Sequence, residues 1–285
     1  MTSGQYIKGK FQAWAGRKGL ALQGSKGIRG EPNYTLSVEE NIFGRLLTTA
    51  TTNAFKAGAG RELEGEIPTM SALHSSAAMA VNLFQHWVIQ DDLATLARIL
   101  DIPSRGIAAG QFETQLPVCP NARERGFRES PHLDFTLRYT DGQFAGIESK
   151  LFEPYGRLEH ALLRPAYLAL PDAWDDIPAC RGLAEQLATG SAGFQRLGAP
   201  QLLKHVLALR FAASTRKVTL VYLYFDAPGN EATEHRNEIR QFQQAIVGDP
   251  VEFVPLSVQE FILRATQHAG DQHRDYLDYV SERYL

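Results

Sequence analysis

The chain has 285 residues, 44% of them hydrophobic and 21% charged, proportions that exclude a disordered polypeptide and allow one large domain or two small ones. Its net charge of -3 does not advertise a nucleic-acid partner, although a local basic face could still serve one. No apolar run nears the ~18 residues of a membrane helix, the N-terminus lacks the order of a signal peptide, and Cys119 and Cys180 form no CxxC pair, so the expectation is a cytoplasmic protein with two reduced thiols and neither structural zinc nor disulfides.

From Thr2 to Gly30 there is no acid, and there are six bases: Lys8, Lys10, Arg17, Lys18, Lys26 and Arg29. Glycines and aromatic residues punctuate this stretch, which reads as a solvated, loop-rich arm or as an arm that touches phosphates. Gly24, Gly27 and Gly30 do not make a phosphate loop, because no strand precedes them and no GK[ST] follows. Ser37 with Glu40 has capping-box spacing and predicts a helix over Val38–Phe55. A Gly- and Glu-rich loop runs from Ala57 to Pro68. Helices are expected over Leu73–Trp87 and Asp91–Leu100, the second stopped by Pro103.

The middle is β: Ala108–Leu116, Pro131–Tyr139 and Phe144–Phe152. An irregular stretch with Pro154, Pro165, Pro171, Pro178 and Pro200 follows. Gln201–Ala212 is helical. Lys217–Phe225, "KVTLVYLYF", reads as a strand buried on both faces. Thr233–Ile246 predicts a helix, Val251–Pro255 a short strand and Ser257–Gln267 a helix. Tyr276, Tyr279 and Leu285 have helical spacing and predict a core or dimer contact. The economical reading is one α/β domain, with residues 1–70 as an N-terminal arm and helix and residues 71–285 as the core.

Thr140-Asp141-Gly142 can close the central hairpin as a two-residue turn or as a three-residue loop with Gly142 left-handed. The three-residue loop pairs Tyr139 with Gln143 and sets Asp134 opposite Glu148 and His132 opposite Lys150. It is preferred because Leu133, Phe135 and Leu137 then share an oily face with Ala145 and Ile147. The other face carries His132, Asp134, Thr136, Glu148 and Lys150. Opposed carboxylates roughly 5 Å apart repel, which folding tolerates when a cation bridges them or when one is protonated. Two hard oxygen ligands suit Mg²⁺, and a lysine on the same side can hold a water or a developing negative charge. Such a set can hydrolyse a phosphodiester. The bland competitor is a strand face with an ordinary salt bridge from Lys150 to Glu148 or Asp134, but this is the only ExK in the chain.

These residues resemble the PD-(D/E)xK nuclease superfamily, with "PD" relaxed to Leu133-Asp134 and "(D/E)xK" as Glu148-Ser149-Lys150. The phrases "FETQLP", "LDFTL", "IESKLFEPY" and "QLLKH" are similar to a bacterial branch of restriction-endonuclease-like proteins. The resemblance spans roughly Leu73 to Phe225 and implies a core of helix, three-stranded meander, helix and strand. It implies that Asp134, Glu148 and the Ser149 carbonyl ligate Mg²⁺ (Mn²⁺ can substitute) and that Lys150 positions the attacking water. Members often add a glutamate from the preceding helix. Leu73–Trp87 has none, so Glu113 and, after it, Glu66 are the candidates. Gln201 and His205 have the spacing of the QxxxY of exonuclease-like members, without the tyrosine.

Among other signals, His132 either lines the site or bonds the backbone, and Glu153 reads as a cap or supporting group. His74, His86, His160, His235, His268 and His273 have no metal spacing, and no GxSxG is present. The expectation is a Mg²⁺-dependent nuclease acting on DNA, with a homodimer as the form that would supply the two sites double-strand cutting needs. A nucleic-acid-binding protein without turnover and a small-molecule phosphohydrolase are the rivals.

Overall fold

The computed structural model describes residues 1–25, 30–58, 61–127, 130–156, 162–170, 172–213 and 217–285. Lys26, Gly27, Arg29, His160 and Pro171 of the sequence reading lie outside these described residues. Helix α1 (Ser3–Arg17) leads through a short ribbon, β1 (Leu22–Gln23) with β2 (Tyr34–Thr35), to α2 (Thr49–Ala57), α3 (Ser76–Ile89) and α4 (Leu93–Leu100). The meander β3 (Ile107–Gln115), β4 (His132–Tyr139) and β5 (Phe144–Lys150) follows, then α5 (Pro178–Thr189), α6 (Ala199–Ala212) and β6 (Val218–Tyr224). Helix α7 (Asn230–Ala245), β7 (Val251–Ser257), α8 (Val258–His268) and α9 (Arg274–Tyr284) complete the chain. The sheet order is β3-β4-β5-β6-β7, antiparallel through the meander and parallel from β5 to β7. This is the expected helix, meander, helix, strand order in a mixed sheet flanked by helices. Among the described residues no helix is long and apolar enough to cross a membrane.

Helices α1, α3, α4, α8 and α9 cover one face of the sheet, and α5, α6 and most of α7 the other. Strand β6 accordingly buries Val221 and Leu223 in the first core and Val218, Leu220 and Tyr222 in the second. Burial of each such aliphatic side chain contributes about 1.5–3 kcal/mol.

Several expectations are corrected. The N-terminal segment is not a loop-rich arm: Ser3–Arg17 is a helix with a capping box from Thr2 and Gln5, and Ile7, Phe11 and Trp14 are buried. Its bases are engaged, Lys8 with Glu31, Lys18 with Glu282 and Lys10 with the Leu285 carbonyl. The helix expected over Val38–Phe55 is two short 3-10 turns followed by α2. Gly44 and Arg45 are left-handed there (φ 65° and 54°). The chain is drawn onto α3 instead, because Asn82 accepts from Phe43 N–H and Gln85 from Thr48 N–H. The capping of Glu40 by Ser37 survives as one weak contact of 3.4 Å. Helix α3 starts at Ser76 rather than Leu73 because the Ser75 hydroxyl caps it. The proline-rich stretch contains the unexpected helix α5, whose Pro178 sits in the first turn, where a missing N–H costs nothing.

The hairpin closes as the three-residue loop: Tyr139 N–H donates to Gln143 O, Gly142 N–H donates to Tyr139 O, and Gly142 has φ 84°. Phe135 pairs with Ile147 and Leu137 with Ala145. One part of the face assignment fails. Phe135, Leu137, Ala145 and Ile147 lie in the first core, but Leu133 lies in the second. The opposite strand shows the same switch, with Phe112 in the first core and Leu116 in the second. Residues two or four apart share a face in a regular strand. The interruption falls at Glu113, which holds φ 48° in mid-strand, a conformation costing about 1–3 kcal/mol for a residue with a Cβ.

Candidate active site

The antiparallel pairing of β4 with β5 ends at Phe135–Ile147, and the acids sit just beyond, where the strands begin to part. Asp134 turns its carboxylate onto the neighbouring strand, and Oδ2 accepts the Ser149 N–H at 2.6 Å. Strand β5 is locked on its other edge, since Glu148, Ser149 and Lys150 pair with Tyr222, Leu223 and Tyr224 of β6. Glu148 points under α6 and is 1% exposed. There, Oε1 accepts from Gln201 Nε2 at 2.8 Å and lies 2.6 Å from Lys150 Nζ, while Oε2 is 2.9 Å from His205 Nε2.

These contacts separate the two acids electrostatically. Burial raises the Asp134 carboxyl well above its usual range, the nearby Glu148 and Glu113 add to the rise, and Lys150 opposes it. Burial would raise Glu148 as well, but Lys150 and then His205 outweigh it and hold Glu148 at about 2. Burial would lower Lys150, yet Glu148, Glu153 and Asp134 together push it upward, so it stays an ammonium. One acid pushed up beside another pushed down is how one site keeps two carboxylates that would otherwise repel.

The other expected residues divide. Gln201 reaches Glu148 directly. His205, one turn along α6, does so too, although its spacing from Gln201 had given it no role in the sequence because the expected residue there was a tyrosine. Glu113 is nearly buried, 3.8 Å from His132 Nδ1, and close enough to raise Asp134. Gly58 allows its approach, since a Cβ there would come 2.9 Å from Glu113 Oε2. Glu66 is exposed and meets no partner among the described residues; Glu62 instead is raised by burial and by Glu113 and lowered by His132, with one oxygen buried and without a hydrogen bond among the described residues. No sequence pattern marks Glu62. His132 lines the cleft described next. Glu153 is a cap, accepting from Leu151 N–H, Phe152 N–H and the Ser76 hydroxyl.

Lys150 opens onto a cleft of about 540 Å³. Arg196 and Lys204 supply its positive wall, beside the imidazoles of His132 and His205, with Tyr222 and three prolines as the apolar part. The Tyr222 hydroxyl is held from behind by His235 Nε2 at 2.8 Å.

The donor set suits a hard divalent cation. Glu148 Oε2 is buried with no hydrogen bond among the described residues, although His205 Nε2 lies 2.9 Å away, and Asp134 sits among acids that raise it. A divalent ion would relieve both. Among the described residues no three acidic, histidine or cysteine side chains converge into a metal cage.

Fold and site together define an α/β protein of the restriction-endonuclease type. The chain belongs to the family described as "Restriction Endonuclease associating with ARP", whose model matches residues 3–285. No curated protein and no solved structure matches it.

Proposed function

We propose that the protein is a Mg²⁺-dependent nuclease that hydrolyses DNA phosphodiester bonds at Asp134, Glu148 and Lys150. The observation that carries this reading is the meeting of an elevated acid, an ionised acid and a buried ammonium at the parting of β4 and β5, on the floor of a cation-walled cleft. Asp134 and Glu148, with the Ser149 carbonyl, would hold the ion, and Glu113 would add negative charge behind Asp134. When bound, the ion supplies a more acidic water and neutralisation of phosphoryl oxygens. Lys150 supplies a fixed positive charge where the scissile phosphate develops negative charge, and Glu148 and Glu153 keep it protonated for that role. Gln201 and His205 keep Glu148 in one orientation.

The engagement of Glu148 by Lys150, Gln201 and His205 favours a second reading, a nucleic-acid-binding protein without turnover. Plasmid nicking and calorimetry separate the two. The wild type is expected to nick plasmid DNA in Mg²⁺, and Lys150→Ala to lose at least about 100-fold of that rate while keeping its melting temperature. Mn²⁺ binding should disappear in Asp134→Ala. Equal nicking by Lys150→Ala and wild type would overturn the mechanism, and a wild type that binds DNA but neither nicks it nor binds Mn²⁺ would establish the second reading.

A further inference from the structure

We infer that Arg196 contacts the phosphate backbone of the polynucleotide beside the proposed catalytic residues, and that Glu238 is the positioning residue that aims it; this rests on the nuclease reading. Arg196 belongs to the segment that leads into α6, the helix whose Gln201 and His205 hold Glu148. The segment has no secondary structure of its own to fix it. Glu238, buried on α7, does so: Oε1 accepts from Gln195 N–H at 2.8 Å, and Oε2 accepts from Arg196 N–H at 2.8 Å and Leu197 N–H at 2.7 Å. Three successive amides pointing at one carboxylate form a concave nest, normally a place for an anion. Here the protein fills it with its own acid. The backbone of Arg196 is therefore anchored at three points, and Leu197 beside it is fully buried.

The side chain is held more loosely. Arg196 lines the same cleft as Lys150. Its Nη1 donates to Gly156 O at 3.1 Å, and its Nε lies 3.0 Å from Glu234 Oε2. Nη2 makes no hydrogen bond among the described residues. Glu234 is 55% exposed, so water screens this pair and holds it weakly. A guanidinium has five donors in a planar fork that matches phosphate. A phosphate entering the cleft can take two of those donors and displace Glu234, leaving the Gly156 contact in place. The division of labour follows: a rigid backbone anchor and an exchangeable side-chain partner. An arginine meant only for stability would instead be paired inside the fold, as Arg283 is.

The test uses the full chain without divalent cation, so that nothing is cleaved. Binding to a fluorescein-labelled DNA is followed by anisotropy across a KCl series. Neutralised phosphates set the salt slope, so Arg196→Ala should lower it by about one and weaken binding about tenfold, while Arg196→Lys should keep the slope. Glu238→Gln removes a negative charge, which by electrostatics alone would strengthen binding to DNA. Positioning predicts the reverse: weaker binding, a lower slope, and no further loss when Arg196→Ala is added. If Glu238→Gln does not fold by circular dichroism, Glu238→Asp, whose shorter stem reaches the three amides poorly, takes its place. A wild-type slope in Arg196→Ala overturns the contact, and tighter binding by the Glu238 variant overturns the positioning role. A wild type that binds no DNA at any salt overturns the nuclease reading itself, a result that is separate from both.

Discussion

Glu148 and Arg283 are each about 1% exposed, and the fold treats these two buried charges in opposite ways. Glu148 is met by the opposite charge of Lys150 on one oxygen and by the His205 imidazole near the other, and Lys150 opens to the cleft. Arg283, at the C-terminal pole, has no carboxylate within ion-pair distance among the described residues. Its Nη1 donates to Asn41 O and the Tyr279 hydroxyl at 2.8 and 2.7 Å, and its Nη2 donates to Asn41 Oδ1 at 2.6 Å. The rings of Trp14, Tyr284 and Tyr279 lie within 4.3, 5.3 and 5.9 Å of the guanidinium carbon. Carbonyls and aromatic faces satisfy a cation without competing for other cations, which makes a closed lock joining α1, α9 and the 3-10 turns. A buried carboxylate whose cationic partner opens to a cleft can exchange that partner for a metal or substrate. The first arrangement holds the molecule together, and the second is suited to chemistry.

Breaking the lock should have the largest effect on stability. Arg283→Met keeps the stem but strands Asn41 Oδ1 and leaves Asn41 O with Asn82 Nδ2 alone, and urea unfolding should show a loss of about 3–5 kcal/mol. Arg283→Lys should recover little, since an ammonium lacks the fork that spans Asn41 and Tyr279. The matching change at the other pole, Glu148→Gln, should cost only about 1–2 kcal/mol, because Lys150 retains Asp134, Glu153 and partial access to water, yet it should abolish nicking. A Glu148→Gln loss as large as that of Arg283→Met would erase the distinction.

The smallest effect sharpens the comparison through pH. His86, packed on Tyr276 at the lock's pole, is lowered to about 4 by burial and then by His273. His235, behind the cleft, is lowered to about 3 by burial and then by Arg236 and Arg196. Both are neutral in the fold and titrate near 6.5 when unfolded. The unfolded chain therefore binds more protons below pH 6.5, and stability should fall as the pH drops from about 6.5 towards 4. Urea melts across that window should show the decline. His86→Gln should flatten it, and an unchanged slope would remove His86 from the account.

The hairpin register was legible because it is local: Thr140-Asp141-Gly142 and a strict alternation admit one loop that keeps the apolar residues together. The ExK motif was legible because its three residues are contiguous. Leu133 was misassigned because its strand switches faces opposite Glu113, a backbone conformation that no residue type there announces. The helix over Val38–Phe55 failed because Asn82 and Gln85, some forty residues away, compete for its backbone groups. Glu62, Arg196 and Glu238 carried no signal, since their partners are distant in the chain.

The sequence by itself determined the helix, meander, helix and strand of the core, the loop that brings β4 beside β5, and the identity of the acids and lysine, because each depends on residues a few positions apart. The tertiary structure alone decided which charges are buried, which cations neutralise Glu148, and that the basic N-terminal segment spends its charge on Glu31, Glu282 and the C-terminal carbonyl. Those outcomes depend on distance and desolvation, which act between elements and have no period along the chain.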